Sequence, residues 1–457
     1  MTGQSPTRLH ISGHRFLLRR MGHALVRGDV RMLNDPLRAQ SLSLTAGAVL
    51  TAIIVAVCVV LAFLHPPGTL GSAPIVMVRD SGALYVRVGD VVHPVLNLAS
   101  ARLIADTPAN PHAVSAAAIS NSNRGPLIGI PGAPAEIGPP LNEDESGWAV
   151  CDDETRTTVI AGSQPGGGGL ATGPAVLVTP RGESAASTYL LYDGWRAKVD
   201  LRNRAVVRAL QLDGVAPRPI SRTLLDALPE ALPIAAPHIP GAGAPSALRG
   251  FAVGSVVRIA RATADEYYVV LATGVQRVGQ VAADLIRFTD SQHDRDIHTV
   301  PPDVIGVVPI VDTLRVSSFP TTGGVSDAVV VCTRWQLTPS STKTTVLIGD
   351  SLPTGSSVTL AQSDGDGPNV DSFSIPRGRS AYVRSIGIDD AASAGALFFV
   401  TEAGVVYGVR DEDTAKHLGL PSPPAPAPWP VLVRLPRGPE LSKEAASVVR
   451  DSVAGPS

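Results

Sequence analysis

From residue 42 to residue 64 the chain reads Leu-Ser-Leu-Thr-Ala-Gly-Ala-Val-Leu-Thr-Ala-Ile-Ile-Val-Ala-Val-Cys-Val-Val-Leu-Ala-Phe-Leu, without one charged side chain. A helix rises about 1.5 Å per residue, so roughly 20 apolar residues cross a hydrocarbon layer about 30 Å thick. The run is therefore read as a single transmembrane helix. The alternative, a buried helix of a soluble domain, would be expected to keep some polar edge. A cleavable signal fits less well, because its apolar region spans only about 7–15 residues. The nearest small-residue site, Gly71-Ser72-Ala73, also runs straight into Pro74.

The flanks set the orientation. Arg8, Arg15, Arg19, Arg20, Arg27, Arg31 and Arg38 precede the run against Asp29 and Asp35, and the first charge after it is Arg79. The positive-inside bias predicts residues 1–41 as cytoplasmic and 65–457 as exported, and no second apolar run of comparable length occurs. A single-pass membrane protein with an exported C-terminal domain is the expectation.

The exported part can bury two or three ordinary cores, and 44 glycines and 40 prolines in 457 residues argue for short strands and many turns. A formal net charge of -2 gives no sign of nucleic acid, and 4% aromatic residues leave little for large stacking platforms. Cys58 lies in the apolar run. Cys151 and Cys332 both follow it, and in an oxidising compartment such a pair is expected to form a disulfide, with two separately buried thiols as the alternative. A bridge would close a loop of about 180 residues, for which the chain-entropy treatment gives roughly 5 kcal/mol as an upper figure.

Before the span, residues 1–13 read as loose and residues 14–32 as a basic amphipathic helix. Leu17, Met21, Ala24, Leu25, Gly28 and Met32 share one side, while Arg15, Arg19, His23, Arg27 and Arg31 recur at four-residue spacing on another. Such a helix can lie on anionic headgroups, pack its apolar side on a partner, or serve only to set topology. The candidate contact residues are Arg15, Leu17, Arg19, Arg20, Met21, Leu25, Arg27 and Arg31. Asp35-Pro36 breaks the helix, and His65-Pro66-Pro67-Gly68 reads as a stiff exit from the membrane.

Beyond the span a grammar repeats. Residues 85–103, 189–210, 267–285 and 397–418 each give an apolar strand, a turn at Gly89, Gly194, Gly274 or Gly404, a second strand and a short helix. These β-β-α modules, placed near 74–105, 187–228, 251–290 and 395–420, are too small to stand alone. A central β core is predicted from 106–186 and 300–380. Cys151 and Cys332 each open a hairpin that continues through Thr-Thr-Val to a glycine, Gly162 or Gly349. The fold class read from this is mixed α+β: one transmembrane helix and an elongated, pseudo-two-fold exported domain. Residues 421–440 read as a proline-rich extended strap without helix or central strand, and 441–448 as a last short helix before a frayed tail.

Catalytic signatures are missing. There is no Gly-x-x-x-x-Gly-Lys-Ser/Thr phosphate loop, no Gly-x-Ser-x-Gly elbow, no His-Glu-x-x-His and no Cys-x-x-Cys. No catalytic, cofactor or metal residue is assigned. The Gly166–Gly169 run is a flexible loop, Asp411-Glu-Asp413 a helix cap, and Glu143, Asp144, Glu145, Asp364 and Asp366 solvated loop charges.

Ser12-Gly-His-Arg-Phe-Leu-Leu-Arg-Arg20, Arg31-Met-Leu-Asn-Asp-Pro-Leu37, Gly125-Pro-Leu-Ile-Gly-Ile-Pro-Gly-Ala-Pro134 and Trp148-Ala-Val-Cys151 resemble EccB, a membrane core component of the type VII (ESX) secretion system. The resemblance covers essentially the whole chain. It implies four repeat modules around a core crossed by a disulfide, and a structural subunit scaffolding a protein-export channel. It further implies partners of the EccC, EccD and EccE types, a mycosin protease nearby, and self-association into a hexameric complex. Members of the family are also described as ATP hydrolases, so ATP is the one cofactor, and exported ATP hydrolysis the one alternative function, that the resemblance brings in.

Overall fold

The computed structural model describes residues 8–28, 36–64, 70–162, 169–182, 187–290, 296–337, 342–352, 357–388 and 395–451. Arg31, Met32, Asp35, the exit at 65–68, Gly166 to Gly168 and the tail from 452 lie outside them. The chain divides into two compact units, each described by itself.

In the first unit, Arg8–Arg27 forms α1 and Pro36–Leu64 forms α2. α1 begins at Arg8, not His14, so residues 8–13 are helical rather than loose. It ends at Gly28, whose φ of +69° and N–H to Ala24 O bond of 2.9 Å make a left-handed cap. α2 starts ahead of residue 42, at Pro36, where a missing N–H is harmless.

The second unit is mixed α+β. Ile75–Val78 (β1), Leu84–Val88 (β2) and Val91–Val95 (β3) form an antiparallel meander, followed by Leu98–Ile104 (α3) with Asn97 as its N-cap. His112–Val114 (β4) and Leu127–Ile128 (β5) flank the meander on opposite sides, and Ala116–Ser120 (α4), between them in sequence, groups with the first unit. Trp148–Asp152 (β6) and Thr157–Ala161 (β7) then make the first central hairpin.

The next module repeats the plan: Val176–Pro180 (β8), Thr188–Tyr192 (β9), Trp195–Val199 (β10), Arg204–Ala209 (α5), then Arg218–Ile220 (β11) returning parallel to β8, and Arg222–Asp226 (α6). Another follows as Val256–Ile259 (β12), Glu266–Val270 (β13), Val275–Val278 (β14), Gln280–Thr289 (α7), His298–Thr299 (β15) parallel to β12, and Pro302–Gly306 (α8). The expected β-β-α unit thus lacked its first strand and its parallel return strand. β8, in the stretch 106–186 expected at the centre, pairs in a module sheet instead.

Val330–Leu337 (β16), Thr342–Gly349 (β17), Ser357–Thr359 (β18) and Ser372–Ser374 (β19) complete the central sheet, in the order β17-β16-β6-β7-β19-β18. Ala381–Ile386 (β20), Leu397–Val400 (β21), Val406–Val409 (β22), Glu412–Leu418 (α9), Ala425–Pro428 (β23) and Trp429–Leu432 (α10) form the last module. The proline strap is therefore an edge strand parallel to β20 that runs into a short helix. Pro426 and Pro428 alternate with Ala425 and Ala427, so the ring positions share one side of the strand and take no N–H from the ladder. Lys443–Ala446 forms α11, and Val449–Arg450 (β24) pairs with β5 where a frayed tail was expected.

The largest apolar cluster lies on one face of the central sheet. It gathers Trp148, Val150, Val331, Trp335 and Phe373 with Leu224 of α6 and Val431 of α10. α3 packs on α9 and α11, and α5 packs on α7.

Candidate functional site: an apolar helix, a basic flank and a disulfide-crossed centre

α2 contains the one candidate span among the described residues, Gln40–Leu61, with a mean hydropathy of 2.7 and its side chains exposed. Its hydroxyls are satisfied within the helix, Thr45 Oγ1 donating to Ser41 O at 2.9 Å and Thr51 Oγ1 to Gly47 O at 2.8 Å. A span needs that arrangement, since hydrocarbon offers no partner. On α1, Arg15, Arg19 and Arg20 are exposed, and so are Leu17, Met21 and Leu25. The helix carries its apolar side chains uncovered. Arg31 and the side chain of Arg27 are outside the described residues.

In the second unit β6 and β16 run antiparallel with Cys151 opposite Cys332 and Trp148 opposite Trp335. The two cysteines form a disulfide and both are fully buried. Next to it, Asp152 is completely buried and accepts from Ser221 N and, at 3.0 Å, from Ser221 Oγ, while Arg181 Nη2 stands 4.0 Å away. Burial pushes the Asp152 carboxyl up, against the lowering effects of Ser221, Arg181 and Thr157. The same Ser221 caps α6 through Leu224 N at 3.1 Å, so this carboxylate pins a helix of the second module to the central sheet.

Asp371, immediately ahead of β19, works similarly by holding β7. It accepts from Thr157 N at 2.8 Å, Ser363 Oγ at 2.8 Å, Asp364 N at 3.0 Å and Gly365 N at 2.8 Å. Burial raises its carboxyl, but these bonds outweigh it and hold the group below the usual carboxylate range. The loop at Asp364 is thus organised around a buried acceptor, and Asp364 itself accepts from Asn369 N at 3.2 Å. Glu145 is likewise paired, 2.6 Å from Arg379, rather than simply solvated. Asp411 does cap α9, through Thr414 N at 2.7 Å. Asp152, Arg181 and Asp371 escaped the sequence reading because no local spacing announces partners so distant in the chain.

A cleft of about 930 Å³ lies between the Asp193 turn and β14. It sets Asp193, Asp265, Glu266 and Asp312 against Arg277, whose guanidinium is 3.3 Å from Glu266. The N–H of Gln280, at the start of α7, is taken by Thr321 O at 3.0 Å. A triphosphate needs converging cations and free N–H groups, so this lining does not fit ATP.

A family model described as "Type VII secretion system ESX-1, transport TM domain B" matches residues 4–455. The chain belongs to the EccB family. It is 36% identical over 475 residues to the ESX-3 secretion system ATPase EccB3 of Mycolicibacterium smegmatis, covering 98% of this chain and 91% of the relative. It is 37% identical to the ESX-2 secretion system ATPase EccB2 of Mycobacterium tuberculosis, over 97% and 94% of the two chains. A chain of an intact ESX-5 inner membrane complex superposes with a TM-score of 0.72 at 32% identity, covering 100% of this chain and 98% of that one. An EccB3 dimer from the ESX-3 core complex gives 0.71 at 34% identity, over 82% and 100%.

Proposed function

We propose that the chain is a structural core subunit of a type VII (ESX) inner-membrane secretion complex, anchored once by α2 with α1 cytoplasmic and the second unit periplasmic. The likeness to a chain of the ESX-5 complex, spanning the apolar helix and the modules alike, carries this reading. In this role the periplasmic unit self-associates into a hexameric assembly and scaffolds the export channel, beside EccC, EccD and EccE subunits and a mycosin protease. A pseudo-two-fold arrangement of the modules belongs to the same proposal. It is supported by the palindromic pairing of Trp148 and Cys151 with Trp335 and Cys332, and by the matched helix contacts of α5 with α7 and α3 with α9.

A second reading, exported ATP hydrolysis, is favoured by the names of the relatives. Affinity purification of the full chain from detergent-solubilised membranes tests both. Co-elution of the other core subunits, with no magnesium-dependent ATP turnover by the protein freed of them, is the expected result. Turnover abolished by acidic substitutions in the cleft would establish the second.

A further inference from the structure

In each module a segment following the short helix runs back along the outer edge of the meander's third strand. On β10, Arg196 N donates to Pro229 O at 2.9 Å, Ala231 N to Arg196 O at 2.8 Å and Ile234 N to Lys198 O at 3.0 Å. On β22 the same bonds join Val406 to Pro436 and Gly438, and Leu441 N to Gly408 O at 2.7 Å. On β3 the returning chain bridges at Val92 and Val95.

β14 departs from this plan. Val275 N donates to Pro309 O at 2.8 Å and Val311 N to Val275 O at 2.9 Å, and there the pairing stops. The cause is Gln276, whose buried carboxamide takes Thr313 N at 2.9 Å and Leu314 N at 2.8 Å onto Oε1 and sends Nε2 to Asp312 and Leu314 O. The N–H that should reach the next outward carbonyl is diverted. Arg277, two residues on from Val275 and facing the same way, keeps a main-chain N–H and C=O without partners among the described residues. The acidic cleft opens at this point, and Ile310 on its rim is 70% exposed.

We propose that the outer edge of β14 is a docking site for an extended, basic peptide strand of a partner protein. Such a strand exchanges hydrogen bonds with Arg277 in the manner of edge addition. Alternate side chains, spaced by the strand's period of two, place Lys or Arg toward Asp193 and Asp312 and an apolar residue against Ile310. Charge complementarity selects the partner: Asp265 is held by Arg258 and Glu266 by Arg261 and Arg277, which leaves Asp193 and Asp312 in the lining without an ion pair among the described residues.

The test uses the full chain in nanodiscs and a fluorescein-labelled peptide of alternating Val and Arg, read by anisotropy. Saturable binding is expected. It should weaken at least about tenfold when alternate peptide nitrogens are methylated, which removes the strand's donors and leaves its charges. Arg277→Pro, which deletes the outward N–H without touching the ladder to β13, should weaken it similarly, whereas Arg277→Ala should not. Gln276→Ala, releasing Leu314 N to close the edge as on β10 and β22, should abolish it. Equal binding by methylated and unmethylated peptides to the unaltered chain, an arm that needs no variant to fold, reduces the effect to charge attraction and overturns the proposal. Failure of the unmethylated peptide to saturate overturns it as well.

Discussion

Asp152 and Asp371 are both buried carboxylates, yet they answer to pH with opposite signs. Asp371 is held low in the folded state, so its contribution is complete above the ordinary carboxylate value and is lost as pH falls through the lower, folded value. In Asp371→Asn the gap in denaturation midpoint from the parent should be largest near neutrality and narrow below about pH 4; a gap constant from pH 7 to 3 would contradict this. Asp152 is held high, so the favourable share of its proton binding is present at low pH and disappears as pH rises through the folded value. At neutral pH its worth lies in the partners it satisfies. Asp152→Ala leaves Ser221 N–H short of an acceptor and removes the carboxyl nearest the buried Arg181 guanidinium, which keeps its bond to Asp153 O. Leaving a buried donor without its partner costs about 1–3 kcal/mol, which thermal or denaturant melting should register.

At the scale of elements, legibility followed the range of the interaction that makes each one. The long apolar helix, the meander strands after the glycine turns and the cap at Asp411 are local features, and all were readable. The return strands β11, β15 and β23 were not, because each is short and depends on a first strand far back in the chain. Ala425 to Pro428 reads as polyproline until β20 supplies an edge for its alternate alanines. α1 is local too, and its function gives two expectations. A thiol probe on Arg20→Cys should label only from the cytoplasmic side and one on Asp200→Cys only from the other, whereas labelling from one side would break the single-span topology. Replacing Leu17, Met21 and Leu25 with Ser, every Arg kept, should preserve insertion and release the chain from its complex on native gels. Those side chains are uncovered in the chain itself, and charge counting during insertion has no use for them.

For the molecule as a whole, the dominant fact is how far apart in sequence its joining residues are. Cys151 and Cys332 are separated by 181 positions, and the chain-entropy treatment assigns such a loop about 5 kcal/mol at most. Cys151→Ser should therefore lower the melting temperature of the oxidised protein, and the parent should show no reactive thiol from either residue. The seam between the first and last modules reaches further, with Arg102 Nη1 donating to Leu418 O at 2.8 Å and Lys443 paired with Asp106. β24 sets Val449 beside Ile128. A ribosome delivers Ile128 long before Val449, so the first sheet waits with an open margin while the later modules are being made. Unpaired margins recruit strands from other chains, and a nascent molecule halted before residue 449 presents one. The pairing at β24 thus acts as a late clasp: β5 is the margin of the first sheet until residue 449 is made, and β24 takes that place afterwards.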